Sequence, residues 1–196
     1  GVFCKYNWQG ELLWKYTLDV EEGVGDIESL PVLSHLNDDG SIDVVFNAEG
    51  YGTVALDGNT GKLLWEYTFP SRKGTFMNAP AADDLNGDGT EDFVVGVKRK
   101  TRSGEYGYAG NSIMCLNGKN GTPIWEVPTG SNIHSAPRII HSGDRTYVMV
   151  AESYSNIHII NSDGKPEKYI TLGNPEVGGI SGLFSSPVPG PDGKLV

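Results

Sequence analysis

Residues Asp83–Gly96 read DDLNGDGTEDFVVG. Asp84, Asn86, Asp88 and Asp92 fall at alternating or near-alternating positions around Gly89, and the apolar run Phe93–Val95 follows at once. Alone, the stretch fits a metal loop, a solvated turn or one copy of a repeat. The rest of the chain decides.

Four segments share a small residue or Leu before Pro and then continue, mostly apolar: SLPVLSHL from Ser29, NAPAADDL from Asn78, SAPRIIHS from Ser135 and SSPVPGPD from Ser185. Their prolines, Pro31, Pro80, Pro137 and Pro187, lie 49, 57 and 50 residues apart. Between them runs a second set: GELLWKYTL from Gly10, GKLLWEYTF from Gly61, GTPIWEVPT from Gly121 and a faded copy, GKPEKYITL, from Gly164. Trp14, Trp65 and Trp125 each stand four residues after the turn glycine, and Lys168 takes that place in the fourth copy.

Each unit reads as four short strands. In one they are Leu30–Leu36, Asp43–Asn47, Gly52–Leu56 and Lys62–Phe69, with turns at NDDGS, AEGYG and DGNTG. In the last strand Leu64, Glu66 and Thr68 alternate with Leu63, Trp65 and Tyr67, the period of a strand. No unit carries an apolar stripe at helical spacing, which excludes helical repeats. A period of about 50 residues with four antiparallel strands is the signature of a propeller blade, and a plain sandwich does not explain the recurrence. The expected fold class is all-β, a β-propeller of four-stranded antiparallel blades. The expected division is a partial blade at 1–19, blades at 29–70, 78–129 and 135–173, and a partial blade at 183–196. The two halves could close a four-bladed ring, but both chain ends fall inside strands. An excised stretch of a six- to eight-bladed propeller is therefore the expectation, with the remaining blades as its neighbours.

Composition agrees. Gly 27, Pro 11 and 10% aromatic residues suit many short strands and tight turns. A net charge of −10 opposes nucleic acid and anionic membranes and favours cations. No apolar run approaches the ~18 residues of a membrane span. Cys4 and Cys115 form neither a metal pair nor a disulfide framework and read as small, semi-buried residues.

Two families meet in these residues. ALDGNTGKLLW, Ala55–Trp65, resembles the tryptophan-docking motif of quinoprotein-type (PQQ-like) propellers at Ala55, Asp57, Thr60, Gly61, Lys62 and Trp65, and CLNGKNGTPIW keeps a weaker version. The resemblance implies a structural role: Trp14, Trp65 and Trp125 dock between blades, and the turn bearing Asp57, Thr60 and Gly61 caps them. DLNGDGTED, Asp84–Asp92, resembles the calcium loop of FG-GAP (integrin α-type) repeats.

Calcium takes six to eight oxygen ligands, from side chains at loop positions 1, 3 and 5 and the main chain at position 7. Here these are Asp84, Asn86, Asp88 and the Thr90 carbonyl, with Asp92 closing the loop. One Ca²⁺ is expected there, because clustered carboxylates repel one another without a cation. The sister loop HLNDDGSID has His35 in the first position and keeps Asn37, Asp39, the Ser41 carbonyl and Asp43, a weaker candidate for a second ion. IIHSGDRTY is too short and lacks the acids, so no ion is expected in that unit. Both loops should lie on the same face of the disc as the docking turns.

On the opposite face a long hairpin is expected over Lys98–Gly110. Lys98, Arg99, Lys100 and Arg102 make it basic, and Tyr106 and Tyr108 add aromatic surface for a protein or glycan partner. The alternative is a solvated loop, as for the acidic segment Val20–Glu28. His134 reads as packing near the channel, and the formal sequon at Asn120 lies in a tight turn.

No catalytic constellation stands out. The expectation is a non-catalytic, calcium-binding propeller module outside the cytosol, extracellular, at the cell surface or periplasmic, that meets a protein or carbohydrate. A fragment of a PQQ-type quinoprotein dehydrogenase is the alternative. The adjacent Cys–Cys pair common in that family is missing, so PQQ is not expected. A propeller polysaccharide lyase and a purely structural spacer are further alternatives.

Overall fold

The computed structural model describes residues 1–20, 25–68, 74–99, 111–133, 135–152 and 156–171. The expected partial blade at 183–196, His134, part of Val20–Glu28, and Lys100, Arg102, Tyr106 and Tyr108 lie outside these residues.

The described residues contain β-strands and no helix. β1 (Val2–Tyr6) pairs with β2 (Leu12–Thr17) in a two-stranded sheet. Three four-stranded antiparallel sheets follow. The first holds β3 (Val32–Ser34), β4 (Asp43–Ala48), β5 (Gly52–Leu56) and β6 (Leu63–Thr68). The second holds β7 (Gly74–Asp83), β8 (Asp92–Arg99), β9 (Ser112–Leu116) and β10 (Pro123–Pro128). The third holds β11 (Arg138–Ser142), β12 (Arg145–Glu152), β13 (Asn156–Asn161) and β14 (Pro166–Thr171). In every sheet strand order follows chain order, the meander of a propeller blade.

The middle strands show why their sequences are continuously apolar. Val44, Phe46, Val54 and Leu56 pack towards Trp14 of the preceding two-stranded sheet and Leu18 just after it. Val45 and Ala55, on the other face, pack with Trp65 and with Phe93 of the next blade. Every residue of β4 and β5 is buried. The outer strand β6 alternates instead, with Trp65 buried and Glu66 exposed. Val94, Ile113 and Cys115 of the second blade join Val148, Val150 and Ile160 of the third in a further cluster. The core is thus a series of seams between blades rather than one interior. Cys115 lies in such a seam, where burial pushes its thiol well above the ordinary range.

The second blade departs from expectation at its start. β7 begins at Gly74, not Asn78, and crosses an irregularity between Met77 and Ala81. Asn78 sits there in the left-handed region (φ 75°), and its carbonyl accepts a 2.7 Å bond from Asn47 Nδ2. The extension of β7 gives Lys98 and Arg99 the strand partners Thr75 and Gly74. Both therefore belong to β8 rather than to a free hairpin.

Candidate functional site

The loop joining β7 to β8 folds on its own acids. Asp84 Oδ1 accepts the N–H groups of Gly87 (2.8 Å) and Asp88 (3.0 Å), and Oδ2 accepts that of Gly89 (2.9 Å). Asn86 Oδ1 accepts from Asp88 N at 2.8 Å, and Asp88 Oδ1 from Thr90 N at 3.0 Å. Gly87 and Gly89 turn the chain with φ of 76° and 85°, which side-chain-bearing residues rarely adopt.

Asp92 has a different position from the other acids. It is fully buried, and its Oδ2 accepts from Leu85 N (3.2 Å) and Asn86 N (3.1 Å). Its Oδ1 accepts from Asn86 Nδ2 (3.1 Å) and from Gly118 N (3.1 Å), across to the turn between β9 and β10. Burial pushes this carboxyl up against the opposing pull of those N–H groups. Asp92 thus clamps the loop to the docking turn of its own blade.

The sister loop repeats the clamp. Asp43, fully buried, accepts from Leu36 N (2.9 Å) and from Gly58 N (3.0 Å). Asp39 Oδ1 accepts from Ser41 N (2.7 Å), and Asn37 Oδ1 from Asp39 N (3.0 Å). His35 Nδ1 lies 2.7 Å from the Ser41 carbonyl, so the proton sits on Nδ1 and the expected main-chain ligand already has a donor. Asp57 Oδ2 lies 3.4 Å from Asn37 Nδ2 and brings a further acid to this loop from the docking turn. The Thr60 hydroxyl and N–H hold the Asp57 carboxyl below its ordinary range.

The docking turns receive the tryptophans of the preceding sheets. Trp14 Nε1 donates to the Gly58 carbonyl (3.1 Å), Trp65 Nε1 to that of Gly118 (2.6 Å) and Trp125 Nε1 to that of Ser162 (2.9 Å). A Cβ on Gly61, Gly121 or Gly164 would stand 2.5–2.6 Å from the indole of Trp14, Trp65 or Trp125, respectively. Each indole presses against a turn that can carry no side chain there. Two hydrogen-bonded chains result: Trp14–Gly58–Asp43–Leu36 and Trp65–Gly118–Asp92–Leu85.

Two features escaped sequence reasoning. Gly58 and Gly118 look like ordinary turn glycines, yet a Cβ would meet the Ile42 carbonyl oxygen at 1.7 Å and that of Glu91 at 1.9 Å. The glycine at the fourth place of both docking motifs, Gly58 and Gly118, was the available signal. Glu152 is the other. Its carboxylate is buried, with Gly130 N and Ser131 N each 3.1 Å from Oε2, and Asn156 Nδ2 and the Tyr169 hydroxyl each 2.9 Å from Oε1. His158 Nε2 is 3.5 Å away. It locks the segment after β10 to the third blade, and nothing local in AES announces that.

Of the proposed partner contacts, Arg99 pairs with Glu126, which also accepts from the Ser112 hydroxyl. Lys98 lies half-buried on β8.

Among the described residues no group of three His, Cys, Asp or Glu side chains could by itself hold a metal ion. A calcium loop does not require one, since amide and main-chain oxygens complete its shell. The expected ligands Asp84, Asn86 and Asp88 share one loop, where their side-chain oxygens accept main-chain N–H groups. One cation already lies against this set: Lys119 Nζ is 3.2 Å from Asp88 Oδ1 and donates to the Asp88 carbonyl at 2.9 Å.

Residues 35–95, which contain both loops, match the FG-GAP-like repeat family. The chain has a β-propeller fold, and its residues 35–95 are similar to an FG-GAP-like repeat. Solved structures agree on the fold. The chain is similar to BamB from Moraxella catarrhalis (18% identity, TM-score 0.55, covering 89% of this chain and 44% of that one). It is similar also to a europium-containing methanol dehydrogenase (17%, TM-score 0.62, 95% and 41%). A third is the quinohemoprotein alcohol dehydrogenase from Comamonas testosteroni (17%, TM-score 0.55, 84% and 31%). The chain thus spans less than half the length of each of these three proteins. No curated protein sequence matches it. At such identities the likeness concerns the propeller and not an activity.

Proposed function

We propose that the chain is a non-catalytic propeller module in which calcium, held by the FG-GAP-like repeat, braces the joint between blades. The observation that carries this reading is the path from loop to seam: Asp92 ties the loop 84–92 to Gly118, whose carbonyl receives Trp65 of the preceding blade. Asp84, Asn86, Asp88 and the Thr90 carbonyl would hold the ion, which would neutralise the carboxylates. The loop 35–43, with His35 on the Ser41 carbonyl, is the weaker seat. Calcium at the millimolar level suits an extracellular, surface or periplasmic setting.

The opposite face is the proposed contact for a protein or glycan, centred on Lys98, Arg99 and the segment to Gly110. Deleting residues 100–110 should abolish binding on a glycan array or in a pull-down. Binding that survives the deletion moves the contact elsewhere.

For the ion, chelation is the test. A ligand at 100 times its dissociation constant adds about 2.7 kcal/mol, so EDTA should lower Tm by roughly 5 °C or more in a chain of this size. Asp88→Ala should remove that sensitivity. A Tm indifferent to calcium, with no calcium by metal analysis, rejects the reading.

A further inference from the structure

We propose that Lys119 is a tethered competitor for the cation of loop 84–92, so that the docking turn sets the calcium affinity of this repeat. The inference rests on the calcium reading above.

The placement of Lys119 is imposed by its neighbours. Gly118 N is bound to Asp92, and the Gly118 carbonyl is bound to Trp65. The next residue is therefore delivered to the rim of the loop. Its ammonium meets both the Asp88 carboxylate (3.2 Å) and the Asp88 carbonyl (2.9 Å). Asn117 Nδ2 approaches the other carboxylate oxygen at 3.4 Å. Lys119 thus engages the fifth-position acid, a residue that calcium would need.

The sister repeat distributes charge in the opposite sense. Its docking turn carries Asp57 where this one has Asn117, and Asn59 where this one has Lys119. Its loop has His35 in place of Asp84. One repeat keeps the full set of loop acids and faces them with an ammonium. The other has lost a loop acid and gains a carboxylate from the turn, 3.4 Å from Asn37.

The size of the effect follows from exposure. Lys119 is 49% and Asp88 29% exposed, so the pair is a solvent-screened surface ion pair and a weak competitor. Removing it, and the residual repulsion of a bound divalent ion, should tighten calcium about five- to tenfold.

The test is calorimetric titration of the EDTA-stripped full chain with CaCl2 at low salt, for wild type, Lys119→Gln and Lys119→Arg. Lys119→Gln should bind about five- to tenfold tighter than wild type, and Lys119→Arg should match wild type within about twofold. The gap should narrow in 0.5 M NaCl, because screening weakens the competing pair. Equal affinities for wild type and Lys119→Gln overturn the competitor and leave the calcium loop standing. Calcium that binds none of the three proteins removes the loop reading, and the competitor with it.

Discussion

The first two complete blades and the third are assembled by the same strand order but are held differently at one face. In blades 32–68 and 74–128 a buried carboxylate, Asp43 or Asp92, joins the first loop to the docking turn. In the third blade the register puts Tyr147 at that position, and β11 turns into β12 through Gly143 and Asp144 alone. The tryptophan contact is nevertheless kept, as Trp125 Nε1 reaches the Ser162 carbonyl. Docking is therefore common to all three seams, whereas the carboxylate clamp accompanies the long loop. A short hairpin leaves few backbone N–H groups to satisfy, and an eight-residue excursion leaves many. The clamp is the loop's requirement, not the propeller's.

The largest break in that comparison should come from Asp92→Ala. It leaves the N–H groups of Leu85, Asn86 and Gly118 without their acceptor in a buried site, and each such orphan costs about 1–3 kcal/mol. A loss of about 4 kcal/mol in urea denaturation is expected, measured in EDTA so that calcium plays no part. Tyr147→Ala, at the matching place of the third blade, should cost less than half as much. Equal costs would mean that Asp92 acts as a space-filling residue rather than as a clamp.

A slightly smaller effect is expected where the turns approach the loops. Gly118→Ser imitates the third blade, which has Ser162 at that place. It would force a Cβ to within 1.9 Å of the Glu91 carbonyl oxygen, which is backbone and cannot swing aside. A cost above about 3 kcal/mol is expected. The reciprocal change, Ser162→Gly, should stay within about 1 kcal/mol by thermal denaturation. If Gly118→Ser is equally mild, the clamp does not set the distance between turn and loop.

The same contrast explains what could be read from sequence. Strand positions were legible because Gly, Asn and Asp clusters punctuate the chain and the middle strands are apolar on both faces, as at Val44–Phe46 and Phe93–Val95. The docking tryptophans were legible because each stands four residues after a turn glycine. What Asp92 does was not, because Gly118 N lies 26 residues away and spacing within DLNGDGTED carries no trace of it. Gly118 was illegible for the converse reason. Its requirement comes from the Glu91 carbonyl that the clamp pulls in, not from a turn conformation of its own. Lys98 and Arg99 were misplaced in a hairpin because the start of β7 at Gly74 carries no Pro signature.

The third blade has its own buried carboxylate, and its pH response sharpens the difference between the two ends of the molecule. Burial alone would raise the Glu152 carboxyl, but the neighbouring His158 ring, 3.5 Å away, and hydrogen bonds from Tyr169 and Asn156 outweigh it and hold it at about 2, against an ordinary value of 4.5. A carboxyl depressed in the folded state contributes stability that is complete above the unfolded value and is lost as pH falls from about 4.5 towards 2. The depression corresponds to about 3 kcal/mol at neutral pH. Burial, and then its own bond to a carboxylate that would repel a phenolate, push the Tyr169 hydroxyl up to about 12. Glu152→Gln keeps the shape of the side chain and removes the titration. In urea melts from pH 7 to pH 3, the stability gap between wild type and Glu152→Gln should therefore shrink as the pH falls below 4.5. Asp92, whose carboxyl is raised rather than lowered, should not contribute to that particular loss. A gap that stays constant over the range would show that Glu152 holds Gly130 and Ser131 through shape and neutral hydrogen bonds, and that its charge adds nothing to the joint.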